Sequence, residues 1–89
     1  MGGVVKPRWD LMPWIACQVV AKVLTFGARK HGESQWRTGD RSASDYFAKV
    51  MRHLIAWHLG EPYDDESGLP HLAHAVANLL FLIELELDP

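Results

Sequence analysis

At 89 residues the chain has room for one domain with a small core, and its single cysteine, Cys17, excludes an internal disulfide and any paired-cysteine metal motif. Nine Lys or Arg against eleven Asp or Glu, with the signs interspersed, leave no basic face of the kind duplex nucleic acid demands. The most apolar run, residues 75–83, is too short to span a bilayer and runs into Glu84 and Glu86, and the amino-terminal stretch has no signal-peptide core, so a soluble cytoplasmic protein is expected.

Residues 1–12 read as an extended lead-in. Gly2, Gly3 and Pro7 oppose helix formation, while Trp9, Leu11 and Met12 are placed to tuck against the downstream elements. Pro13 then suits the first position of a helix, and Ile15, Val19, Val20, Val23, Leu24 and Phe26 recur at helical spacing, which predicts a helix over 13–28. Its β-branched residues lower the intrinsic propensity, so burial has to hold it.

From 29 to 42 the periodicity stops, with Gly32 and Gly39 as breakers, and a loop is expected. Arg29, Lys30, Arg37 and Arg41 surround Trp36 there, a grouping that suits either phosphate binding with stacking on a base or a solvated linker whose tryptophan plugs the core.

Ser42-Ala43-Ser44-Asp45 reads as a capping box with Asp in place of Glu, opening a second helix over 42–59 that Gly60 ends. Phe47, Val50, Met51, Leu54, Ile55 and Leu59 form its apolar stripe; Tyr46, Lys49, His53 and Trp57 line up on the neighbouring face. After Glu61-Pro62 comes a tight acidic turn, Asp64-Asp65-Glu66-Ser67-Gly68. Ser67 or Leu69 is the expected N-cap of a third helix over 70–87, with Pro70 inside its first turn.

That third helix is apolar on nearly every side, from Leu72 and Val76 through Leu79, Leu80, Phe81, Leu82, Ile83 and Leu85. Two companion helices can cover only part of it, and the remainder predicts a subunit interface. The expected fold is therefore all-α: a single domain over 1–89, a small antiparallel bundle of three helices that forms a homodimer or tetramer through the third.

The chemistry concentrates between Arg52 and Asn78, which holds four of the five histidines and one of the four tryptophans, Trp57. His71, His74 and Asn78 follow each other at i, i+3 and i+7 along one helix face. An antiparallel second helix can set His53 and Trp57 opposite them, with Glu61, Asp64 and Glu66 in the connection above. Histidines so placed can bind transition metals, hold phosphate, or act as general acid and base; they are also compatible with plain hydrogen-bonded residues at a boundary. No Walker-type loop or nucleophile elbow is present.

Lys6-Pro7-Arg8-Trp9-Asp10-Leu11-Met12-Pro13, Leu24-Thr25-Phe26-Gly27-Ala28-Arg29-Lys30-His31-Gly32, Trp36, Arg52-His53-Leu54, Ala56-Trp57, Gly60-Glu61, Asp64, Glu66-Ser67-Gly68, His71-Leu72-Ala73-His74 and Asn78 together resemble the phage-encoded dATP/dGTP diphosphohydrolase N-terminal domain family, over nearly the whole chain. The resemblance implies kinship with the all-α, MazG-like nucleoside triphosphate pyrophosphohydrolases: helical oligomers that split a purine deoxynucleotide such as dATP or dGTP into monophosphate and pyrophosphate with a divalent metal.

On that reading His53, His71, His74, Asp64 and Glu66 are the metal ligands, and Glu61, His53 and His74 the catalytic groups. Lys30, Arg52 and Asn78 bind the nucleotide, and Trp36 or Trp57 packs on its base. The chain departs from the superfamily pattern where it matters most. His71-Leu72-Ala73-His74 stands where Glu-x-x-Asp is expected, and His53 lies near the first glutamate. Three accounts stay open: a transition-metal variant using manganese or a similar ion, a magnesium site moved to Glu61, Asp64 and Glu66, or a non-catalytic nucleotide-binding or assembly module.

Overall fold

The computed structural model describes residues 3, 5–34, 37 and 41–88, and the long helices among these described residues are three. They are α1 (Trp14–His31), α2 (Ala43–His58) and α3 (His71–Leu87). The described residues contain no strand, only an isolated antiparallel bridge between Tyr63 and Pro70 in the α2–α3 connection. The class is all-α. Expectations that fall on Gly2, Trp36 and Gly39 lie outside the described residues.

The lead-in is not fully extended. Backbone bonds from Leu11 to Arg8 and from Met12 to Trp9 close a 3-10 turn at Trp9–Leu11, alongside an Arg8–Asp10 ion pair at 2.7 Å. Its apolar side chains do not tuck in either: Trp9 is 65% and Leu11 69% exposed.

α1 starts one residue after Pro13, which serves as its N-cap, and runs a turn beyond the expected end. Arg29, Lys30 and His31 belong to its last turn instead of a loop, because the helix accommodates Gly27 and ends only at Gly32. At φ 96° Gly32 takes a conformation that other residues resist, and its N–H closes on the Ala28 carbonyl at 2.8 Å. Cations in this last turn also complement the partial negative charge at a helix carboxyl end.

α2 opens with the expected capping box: the Ser42 hydroxyl accepts from the Asp45 N–H at 3.3 Å, and the Ser42 N–H donates to the Asp45 carboxylate at 2.9 Å. It ends in a Schellman turn, with Gly60 at φ 98° and the Gly60 and Glu61 N–H groups donating to the carbonyls of Trp57 and Ala56. α3 begins differently from expectation. Pro70 is its N-cap, and the Pro70 carbonyl accepts from the N–H groups of Ala73 and His74. Ser67 is occupied by the preceding turn, where its N–H donates to Asp64 at 2.9 Å and its hydroxyl accepts from the Leu69 N–H at 3.1 Å.

α2 and α3 lie antiparallel, since Tyr46 meets Phe81 at 5.4 Å while His53, further along α2, meets His74, earlier on α3. α1 packs on the other side of α3, its Val23 joining Ala73 and Ala77, with Val19, Val20, Leu24 and Leu69 around them. The core is built from small residues. The buried side of α3 is His71, Ala73, His74, Ala75, Ala77 and Asn78, whereas Leu72, Val76, Leu79, Leu80 and Ile83 are each 40–50% exposed.

α2 also turns a different face inward from the one its hydrophobicity suggests. Tyr46 and Val50 are buried with His53 half-buried, while Phe47, Met51, Ile55 and Leu59 of the expected stripe point out. The inward side of α2 is the ring-bearing one because its rings meet rings of α3, Tyr46 against Phe81 and His53 against His71 and His74. Two neighbouring helices thus carry outward aliphatic stripes.

Candidate functional site

The α2–α3 connection determines where the polar side chains converge. The His71 N–H donates to the Pro62 carbonyl at 2.9 Å and the Asp64 N–H to the Leu69 carbonyl at 2.8 Å, while Gly68, at φ 72°, donates to the Asp64 carbonyl. These bonds fold the acidic turn back over the amino end of α3. Asp64 therefore faces the histidines.

His53 meets two histidines at once. Its Nδ1 lies 2.8 Å from Nδ1 of His71, a contact in which one ring donates and the other accepts, and its plane stacks on that of His74 with centroids 4.6 Å apart. Ligand atoms of His53, Asp64 and His71 all lie within 4.8 Å of one another. Two imidazoles and a carboxylate form a donor set that suits a divalent ion.

His74 is held by different contacts. Its Nε2 lies 2.6 Å from the Ser67 hydroxyl and 3.8 Å from Asp64, and Phe26 of α1 meets its ring edge-on at 6.4 Å. Ser67 Oγ also accepts from the Leu69 N–H, so this hydroxyl ties the turn to the His74 ring, and the tautomer of His74 sets which partner donates in the Ser67–Nε2 bond. Asn78, one turn on, donates to the His74 carbonyl at 2.8 Å.

These environments favour neutral rings. Burial, reinforced by the neighbouring His74 and His71, pushes His53 down to about 4. Burial also lowers His74, against the opposing pull of Asp64. Burial alone would raise Asp64, but the hydrogen bonds from Ser67 outweigh it and hold the carboxyl below its usual value. Uncharged imidazoles beside an ionised carboxylate are in the protonation states that metal binding requires.

Beside this cluster opens a cleft of about 880 Å³ between the three helices. His53, Asp64, His74 and Asn78 line one part of it; Lys30, Arg41, Lys49 and Arg52 bring positive charge to its walls, and Phe26, Tyr46 and Phe81 supply aromatic surface. Lys30 reaches from α1 to pair with Glu66 in the acidic turn, bridging the cleft.

Of the residues singled out from sequence, His53, His71, His74 and Asp64 come together, and Lys30, Arg52, Asn78 and Glu66 line the adjoining cleft. Glu61 lies exposed behind the Schellman turn and outside the ligand group, and Trp57, 48% exposed, lies outside the cleft wall. Trp36 is not among the described residues. Sequence reasoning missed the role of Ser67 as the partner of His74, since a serine beside glycine reads as a cap or turn. It also missed Lys49 as a wall of the cleft, although its place one turn before His53 on the same helix face is a usable signal.

The family model for the dATP/dGTP diphosphohydrolase N-terminal domain matches residues 2–89. The protein named dATP/dGTP diphosphohydrolase of Salmonella phage PMBT28 is 35% identical over 66 residues, which cover 74% of this chain and 22% of that protein. The chain thus spans less than a quarter of the length of this relative. No solved structure matches. With nearly every residue under the family model, the chain belongs to the dATP/dGTP diphosphohydrolase N-terminal domain family.

Proposed function

We propose that this domain binds a purine deoxynucleoside triphosphate in the three-helix cleft and takes part in its hydrolysis to monophosphate and pyrophosphate, with a divalent metal. The observation that carries the reading is the meeting in one cleft of four cationic side chains with the His53, Asp64 and His74 cluster. The name of the phage relative supports the substrate class.

In this reading Arg52 and Lys49, one helical turn from His53, hold the phosphate chain by charge-assisted hydrogen bonds, and Lys30 contributes from α1. Arg52 adds a planar fork suited to two phosphate oxygens. Asp64, His53 and His71 hold the metal. A divalent ion held there would supply positive charge against the negative charge developing on pyrophosphate and would make bound water more acidic. His74, held by its hydrogen bond with Ser67, is placed to shuttle a proton, and Asn78 fixes the backbone beneath it. The outward aliphatic stripes of α2 and α3 join a second copy of the chain.

A second reading, a non-catalytic nucleotide-binding or assembly module, is favoured by one observation: the donor set holds two imidazoles and a single carboxylate, fewer oxygen ligands than magnesium-dependent hydrolysis calls for. Incubation with each common deoxynucleoside and ribonucleoside triphosphate, in magnesium, manganese, cobalt or zinc, distinguishes the two. Release of monophosphate and pyrophosphate from dATP or dGTP, reduced in Arg52→Ala, supports hydrolysis. Calorimetric binding without turnover supports the module. Neither binding nor turnover removes the nucleotide reading.

A further inference from the structure

We propose that His53 and His71, through their Nδ1 atoms, together with the Asp64 carboxylate, form a two-histidine, one-carboxylate centre that selects a first-row transition ion of the manganese-to-zinc series over magnesium. The inference deepens the nucleotide reading by naming the class of ion at its site, and it rests on the donor atoms themselves.

The ligand atoms of these residues lie within 4.8 Å of one another, and the two Nδ1 atoms are 2.8 Å apart. Donors sharing one ion through bonds of about 2.1 Å lie roughly 3 to 3.5 Å apart, so the nitrogens are close to that spacing and the carboxylate needs a shift on the order of an ångström. Each group is held in place before any ion arrives. The His53 ring is backed by the stacked ring of His74, the backbone of His71 is tied to Pro62, and Asp64 accepts from the Ser67 N–H at 2.9 Å. Without an ion, two like nitrogens in contact require one to keep a proton and the other to lose it; an ion between them accepts a lone pair from both.

The set excludes magnesium by chemistry. Magnesium takes oxygen ligands in a tight octahedron and sheds its water reluctantly, whereas imidazole nitrogen suits the later divalent ions. Asp64 is the carboxylate of this group, and Glu66, which could have added a second, is paired with Lys30. His74 lies outside the set because its Nε2 is taken by Ser67. It is a positioning residue that supports the ring of His53.

Cobalt(II), zinc, manganese and magnesium are each titrated alone into untagged, chelator-stripped protein, following cobalt absorption and calorimetric heats. The expected result is one ion per chain, cobalt and zinc binding at least about 100-fold more tightly than magnesium, and at least about 10-fold loss of cobalt affinity in His53→Gln and in Asp64→Asn. His58→Gln leaves binding unchanged. Because His71 is buried and its variant could fail to fold, Asp64→Asn on the turn carries the ligand test, with circular dichroism confirming helicity. Magnesium binding as tightly as cobalt, or cobalt affinity unaltered in Asp64→Asn and His53→Gln, overturns the assignment. Binding of a non-hydrolysable dGTP analogue is measured in parallel. If the analogue binds and cobalt does not, the ion assignment falls alone; if cobalt binds as expected and no nucleotide does, the nucleotide reading falls alone.

Discussion

The rings of His53 and His74 lie face to face, 11° from parallel with centroids 4.6 Å apart, although one comes from α2 and the other from α3. This stack is the point where the packing of two helices and the chemistry of the cluster coincide. Neither ring can move without releasing the other.

Replacing His74 by Ala therefore acts in two ways. It removes the stack and the hydrogen-bond partner of the Ser67 hydroxyl, at an expected cost of about 1–3 kcal/mol. It also frees the His53 ring, so the thermal shift on adding metal and nucleotide should fall to near zero. Thermal melts with and without these ligands check both effects. A variant that melts earlier yet keeps its full ligand-induced shift would show that His74 is structural only. His58→Ala, on an exposed position at the end of α2, should alter neither quantity.

Acid should loosen the fold in a defined window. The native His53 titrates near 4 and an unfolded histidine near 6.5, so between those values the unfolded chain binds the extra proton. Stability should be level above pH 6.5 and fall as the pH drops toward 4. His74, also lowered, adds a fall of the same sign. Asp64 is lowered below 3.8, so its stabilising contribution is lost only at more acidic pH. Urea midpoints at a series of pH values test the window; a flat profile would contradict the buried, neutral state of the rings.

The start of α2 offers a test independent of the site. Ser42→Ala removes the hydroxyl that accepts from Asp45 and should lower stability by about 0.5–2 kcal/mol, leaving cobalt and nucleotide binding unchanged. Denaturant unfolding gives the value. No loss would mean that solvent satisfies the Asp45 N–H as well as Ser42 does.

The outward stripes should make the chain self-associate. Phe47, Met51, Ile55 and Leu59 on α2 and Leu72, Val76, Leu79 and Ile83 on α3 are each at least 38% exposed, a large apolar surface for so small a fold. Sedimentation at micromolar concentration should report a dimer or tetramer, and Val76→Glu should shift it toward monomer with helicity retained. A wild-type monomer would assign these stripes to something other than a second copy.

Much of this was legible because it is local. A capping box needs only Ser42 and Asp45, and the end of α2 only Gly60. The alignment of His71 with His74 follows from helical spacing, and the short connection suffices to turn His53 toward them. What could not be read was which face of α2 goes inward. Phe47, Met51 and Ile55 are more apolar than Tyr46 and His53, and hydropathy alone favours them; of the expected stripe Val50 does go inward. The choice depends on the partner surface, where Phe81 of α3 receives Tyr46 and the rings of His71 and His74 receive His53. Likewise Ser67 fits a cap by residue type, and only the fold-back of the acidic turn commits its hydroxyl to His74.

Every member of the histidine–aspartate cluster lies between His53 and His74, on the two sides of a single helical hairpin. Such a cluster closes a short loop, so it can form as soon as that hairpin does, before the more distant docking of α1. The first helix then adds Phe26 and Lys30 to a polar centre already in being. The ligand geometry is thus a property of about a quarter of the chain, transplantable in principle as one hairpin, while the cleft beside it exists only once the whole bundle has assembled.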